Sequence, residues 1–145
     1  MSNIYVIDGV GLTSLALIYH DKKTTHELFL MLTGQASSNN KYITTETSIM
    51  TAFCLSANSG KPKLVEALKR VMQHFFDEAA RNFEVVRKKP VKILQDFGTF
   101  VYENGSDHSM HVLDAAFIAA EMYPGAIVIG KSSQLYSSNG ITVYG

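Results

Sequence analysis

Apolar residues in the first third of the chain fall into short blocks, NIYVID, SLALIYH and HELFLML, rich in β-branched, aromatic and leucine side chains. Asp8-Gly9-Val10-Gly11 and Asp21-Lys22-Lys23-Thr24 separate them with turn chemistry. The pattern predicts an antiparallel meander of three strands, although LTSLALIYH also fits a short helix. QASSNNK, residues 35 to 41, reads as a polar surface loop.

From Thr45 the period changes. Ile49, Met50, Phe53 and Cys54 suit a helix capped by Thr45 and broken at Asn58-Ser59-Gly60. Leu64, Leu68, Val71, Met72, Phe75, Ala79 and Phe83 then recur at three- and four-residue steps opposite Glu66, Arg70, Gln73, His74, Asp77 and Arg81. This predicts a long amphipathic helix from Pro62 to about Asn82, with Glu66/Arg70 and Asp77/Arg81 spaced for i,i+4 pairs. FEVVRK and VKILQDFGTFVYE read as strands, SMHVLDAAFIAAEMY as a helix stopped by Pro124-Gly125, and AIVIG, SQLYS and ITVYG as closing strands. The order predicts an α+β sandwich: one domain over residues 1–145, with a mainly antiparallel sheet and about three helices on one face, rather than a doubly wound parallel fold.

Composition narrows the class. At 145 residues, with three prolines, the chain is long enough for one core without staples. Cys54 is the only cysteine, which excludes an internal disulfide or multi-cysteine metal site and is expected as inert core. No secretory or membrane-spanning segment is legible, so the expected location is cytoplasmic, without a membrane partner. The formal charge is zero, which argues against a dedicated nucleic-acid binder. Its distribution is uneven, since residues 61–92 carry nine basic and four acidic side chains, an excess suited to an acidic protein partner.

GAIVIGKSS, residues 125 to 133, matches the phosphate-loop pattern GxxxxGK[ST]. Such a loop needs a strand before its first glycine and a helix after its lysine. Here a helix precedes Gly125, the variable positions are themselves a strand, and no following helix is expected. The motif is therefore not read as a nucleotide cradle. A chain reversal at Pro124-Gly125 would instead bring Lys131 level with His111, because about six strand residues and about thirteen helical residues span similar lengths. Lys131, Ser132 and Asp107 are thus candidate ligand-binding residues at the start of the last long helix, where amides and dipole favour an anion. The plainer alternative has Asp107 or Ser109 capping that helix and Lys131 solvated.

On the same helix Asp107, His111, Asp114 and Glu121 form a narrow polar stripe. His111 and Asp114 are the candidate catalytic pair, a base and its orienting carboxylate, while the plain alternative is one wet face on a buried helix. No metal is expected, for want of a third strong ligand nearby in sequence, and no cofactor. His20 and His26 would face each other across the Asp21–Thr25 hairpin as edge polarity, His74 is expected in solvent, and Arg87-Lys88-Lys89 as a soluble turn. No motif names a family. The expected function is binding of a small anionic or nucleotide-like ligand beside the last helix, with hydrolase or lyase chemistry open and a homo-oligomer interface compatible. The alternative is a protein-interaction module, an inhibitor or assembly subunit, working through residues 61–92.

Overall fold

The computed structural model describes residues 3–22, 40–76, 83–86 and 89–144. Five strands, β1 (Ile4–Ile7), β2 (Lys41–Thr45), β3 (Phe83–Val86), β4 (Ile127–Ile129) and β5 (Val143–Tyr144), form one sheet in the order β3-β2-β1-β4-β5. Every pairing is parallel, with Tyr5 opposite Tyr42 and Ile127, Tyr42 opposite Phe83, and Val128 opposite Val143. Among the described residues six helices fill the connections: α1 (Gly9–His20), α2 (Glu46–Ala57), α3 (Leu64–Phe75), α4 (Val91–Asn104), α5 (Met110–Phe117) and α6 (Gln134–Ser138).

This is a doubly wound α/β sheet, which overturns the predicted antiparallel sandwich. The reason is visible in β1. Tyr5 and Ile7 enter one core with α1, α2 and α3, while Val6 enters the opposite core with α4, α5 and α6. A strand buried on both faces is apolar throughout, so it carries no alternation to separate it from the helix that follows. SLALIYH accordingly lies in α1 and not in a strand. Asp8 caps that helix, its Oδ1 accepting the Gly11 amide hydrogen at 2.9 Å. The presumed hairpin turn is thus a helix start.

Two further predicted strands are helices. VKILQDFGTFVYE lies in α4, where Ile93, Phe97, Phe100 and Val101 meet the core at helical spacing and Gly105, at φ 90°, ends the run. SQLYS lies in α6, capped by Ser133, whose Oγ accepts from the Leu135 amide. KYITT, expected partly in a loop, is β2. HELFLML and His26 lie outside the described residues.

Other readings hold. β1, β3, β4 and β5 are strands where expected, Thr45 caps α2, and Asn58 ends it. The amphipathic helix expected from Pro62 to about Asn82 is shorter, α3 ending at Phe75; Phe83, expected on its apolar face, opens β3, and Asp77, Ala79 and Arg81 lie outside the described residues. In α3, Leu64, Leu68, Val71 and Phe75 are buried, each worth about 1.5–3 kcal/mol over exposure. Its ion pair is Glu66 with Lys69 rather than Arg70. After α5 the chain makes a π-helical turn, Ile118–Met122, with the Tyr123 amide donating to Ile118 five residues back at 2.8 Å. Stacked rings of Tyr5, Tyr42 and Phe83 tie three strands across one face, with centroids 5.3 and 4.8 Å apart.

Candidate functional site at the carboxyl edge of the sheet

Because all strands run one way, all their carboxyl ends open on one edge. From β1 the chain moves outward to β2 and β3, then returns to lay β4 on the other side of β1. In open sheets of this kind, ligands enter at that switch point, where crossovers diverge to opposite faces. Here it lies between β1 and β4, delivering Asp8 from one strand and Gly130-Lys131-Ser132 from the other.

The two segments touch. The Asp8 amide donates to Ile129 O at 3.1 Å, and a Cβ added to Gly130 would lie 2.2 Å from Asp8 Oδ2. Gly11 is equally confined, since a Cβ there would lie 2.2 Å from Ile129 O. Glycine is required at both places by close approach. Asp8 is 1% exposed, and a carboxylate so buried needs donors. Gly11 supplies one and the Tyr136 hydroxyl, 2.6 Å from Oδ2, another, with the α1 dipole adding to both. Burial, then the charge and hydrogen bond of Asp8, push the Tyr136 phenol far up, so it remains a donor.

His111, on α5, is buried, and its Nδ1 accepts the Gly9 amide hydrogen at 3.0 Å. Burial lowers its pKa from the ordinary 6.5, while Asp8 pulls the other way. The ring is therefore neutral at neutral pH, with its proton on Nε2. One turn on, Asp114 accepts from the Thr47 hydroxyl at 2.8 Å through Oδ2 and from the Lys89 ammonium through Oδ1. Lys89 also lies over the Phe97 ring, 5.7 Å from its centroid. Thr44 donates to Ile7 O at 2.8 Å, and Thr45 bonds both the amide and the hydroxyl of Ser48. The layers on the two faces of the sheet thus meet at this edge, α1 and α2 joining α5 through Gly9–His111 and Thr47–Asp114.

His111 accepts from Gly9, and Gly130 lies against the carboxylate of the preceding residue, Asp8. Lys131 and Ser132 are exposed, and among the described residues no ion pair takes Lys131. Asp107 is exposed ahead of α5, whose cap position holds Ser109 without a side-chain hydrogen bond. The polar stripe also divides, because Asp107 precedes the helix and Glu121 lies exposed on the π-helical turn, which shifts the helical phase. Among the described residues no group of three or more histidine, cysteine, aspartate or glutamate side chains is placed to hold a metal ion.

The phosphate-loop reading stays excluded on geometry. Gly125, at φ 90°, and Lys131 stand at opposite ends of β4 instead of sharing a loop. A helix does follow Lys131, contrary to expectation, but α6 has five residues. Cys54 is exposed rather than core, and His20 closes helix α1 instead of a strand, its Nδ1 2.9 Å from Asp21 Oδ1. Lys89 is drawn out of the basic segment into the site, whereas Lys61, Lys63, Lys69 and Arg70 are exposed. Lys89, Thr47 and Tyr136 were not legible as site residues, since each is placed only by tertiary contacts.

Among the described residues no helix is long and apolar enough to cross a membrane. No family model and no curated protein sequence matches the chain. The fold is similar to the crystal structure of PAE2754 from Pyrobaculum aerophilum, with a TM-score of 0.58 and 19% identity over 99% of this chain and 92% of that one. At that identity the likeness describes the fold alone.

Proposed function

We propose that the carboxyl edge between β1 and β4 binds a small anionic, nucleotide-like ligand. The observation that carries this reading is the place of Gly130-Lys131-Ser132: directly after β4, at the switch point, with the lysine and serine side chains exposed beside buried Asp8. Lys131 would supply a mobile cation and Ser132 a hydroxyl to phosphate or carboxylate oxygens. Asp8, Gly9, His111 and Asp114 would form a rigid floor, holding the two strand ends in place. Because His111 Nδ1 and both Asp114 oxygens already serve protein partners, the reading assigns these residues to positioning instead of proton transfer.

Calorimetric titration with inorganic phosphate, nucleoside mono- and triphosphates and short oligonucleotides tests it. Binding by one of these, weakened about tenfold or more by Lys131→Ala with an unchanged melting temperature, is expected for one lost charge-assisted contact. No binding, or binding indifferent to Lys131, would sink the reading.

A second reading, capture of an acidic protein, has in its favour the exposed Lys61, Lys63, Lys69 and Arg70 on and before α3. Reversing Lys69 and Arg70 together should then abolish capture of an acidic polypeptide probe and its salt dependence, with phosphate binding untouched.

A further inference from the structure

Asn-Gly occurs twice in the chain, at Asn104-Gly105 and Asn139-Gly140, and each pair closes a helix. Gly105 follows α4 at φ 90° and Gly140 follows the last turn of α6 at φ 68°, a left-handed backbone that favours glycine. The helix ends thus set glycine directly after asparagine, a chemically labile sequence. No side chain hinders the glycine nitrogen, so it can attack the asparagine Cγ; the Cγ–Nδ2 bond breaks, ammonia leaves and a cyclic imide forms. Water then opens the imide at either carbonyl, leaving aspartate or isoaspartate.

In the folded chain the two asparagines touch. Asn139 Nδ2 donates to Asn104 Oδ1 at 2.9 Å, and to Leu135 O at 2.9 Å. Asn104 Nδ2 donates to Phe100 O at 2.9 Å. Both hydrogens of the Asn139 amide are thereby committed, and the Asn104 amide is held at its nitrogen and its oxygen. The attacking nitrogens are held as well, since the Gly105 amide donates to Val101 O at 2.8 Å and the Gly140 amide to Ser137 O at 3.1 Å. To react, an asparagine must first leave these partners, so conversion proceeds from a local opening of the helix end.

We propose that Asn104 and Asn139 are paired deamidation sites, each kept intact by the hydrogen bond between them, and that conversion of Asn139 is the step that loosens α6. The two products differ. Aspartate at position 104 keeps an oxygen for the Asn139 amide and loses only the bond to Phe100 O. Aspartate at position 139 sets a carboxylate against Leu135 O and Asn104 Oδ1 with no hydrogen between them. Its charge also opposes the dipole at the carboxyl end of α6. Tyr136, in the same short helix, donates to Asp8, so a loosened α6 reaches the floor of the β1–β4 edge. Loss of ammonia makes the change one-way, and it proceeds whether or not that edge binds a ligand.

Peptide mapping by mass spectrometry, after incubation in mildly alkaline buffer, reads the conversion at each site, with every variant held at the same interval below its own melting temperature. In the folded chain both sites should convert about tenfold or more slower than in the chain unfolded by urea. Asn104→Ala, which removes the acceptor, should speed conversion of Asn139 about fivefold, whereas Asn104→Asp, which keeps it, should leave that rate unchanged. Asn139→Ala should likewise speed conversion of Asn104. Asn139→Asp should lower the melting temperature by about 4 °C or more, and Asn104→Asp by less. Equal rates in the folded and unfolded chains, conversion of Asn139 as fast in N104D as in N104A, or a larger melting loss from N104D than from N139D overturns the proposal.

Discussion

Asp8 accepts from Gly11 through one oxygen and from Tyr136 through the other, while the backbone of Gly130 closes over its carboxylate. Both donors act on a buried charge, where removing a partner costs more than the net worth of an average hydrogen bond. Tyr136→Phe should therefore destabilise the fold by about 2 kcal/mol in urea denaturation, and a loss near zero would mean that water replaces the phenol. His111 makes the same kind of demand in reverse, since the Gly9 amide needs an unprotonated Nδ1. Of this group, His111 and Asp114 were legible in the sequence because they fall one helical turn apart on a strongly periodic segment. Tyr136 was not. Its apolar neighbours read as a strand, and nothing local announces a hydroxyl aimed at a residue 128 positions away.

At the scale of elements, two helical glycines predict opposite responses to the same change. Gly98→Ala adds a Cβ into open space, so helix propensity alone should raise stability by about 1 kcal/mol, read by thermal denaturation of dilute protein. Gly11→Ala drives a Cβ to 2.2 Å from the Ile129 carbonyl, and backbone cannot yield cheaply. We expect a loss of about 1–3 kcal/mol or more, with the β1–β4 junction displaced. Equal effects at the two sites would refute the close approach. The same contrast explains which elements could be read from sequence. Helix α3 has one wet face and one dry face, so its period was plain. Helix α1 is apolar nearly all round between the sheet and its neighbours, and α4 is rich in aromatic and β-branched residues, so both looked like strands.

Across the whole molecule, the two cores are joined at the carboxyl edge through Gly9–His111 and Thr47–Asp114, and one of these joints titrates. With the His111 pKa lowered by burial, the unfolded chain binds a proton at pH values where the folded chain does not. Its contribution to stability is therefore full above about 6.5 and declines as pH falls below that value, until the folded form also protonates. The denaturation midpoint should drop between about pH 7 and about pH 5, and His111→Asn, which keeps an acceptor but cannot titrate, should remove that part of the slope. An unchanged slope would show that the ring is not sealed from solvent. The chain by itself determined the four strands it marked with compact apolar runs, the caps at Thr45 and Asn58, the wet and dry faces of α3, and the presence of His111 and Asp114 on one helix. Those are local properties, fixed by residue type and spacing. Strand direction, the division of β1 between two cores, and the meeting of Asp8 with Gly130 and Tyr136 were decided only by tertiary structure. A parallel strand covered on both faces erases the alternation that would reveal it, and contacts between the ends of separate strands leave no periodic trace in the sequence.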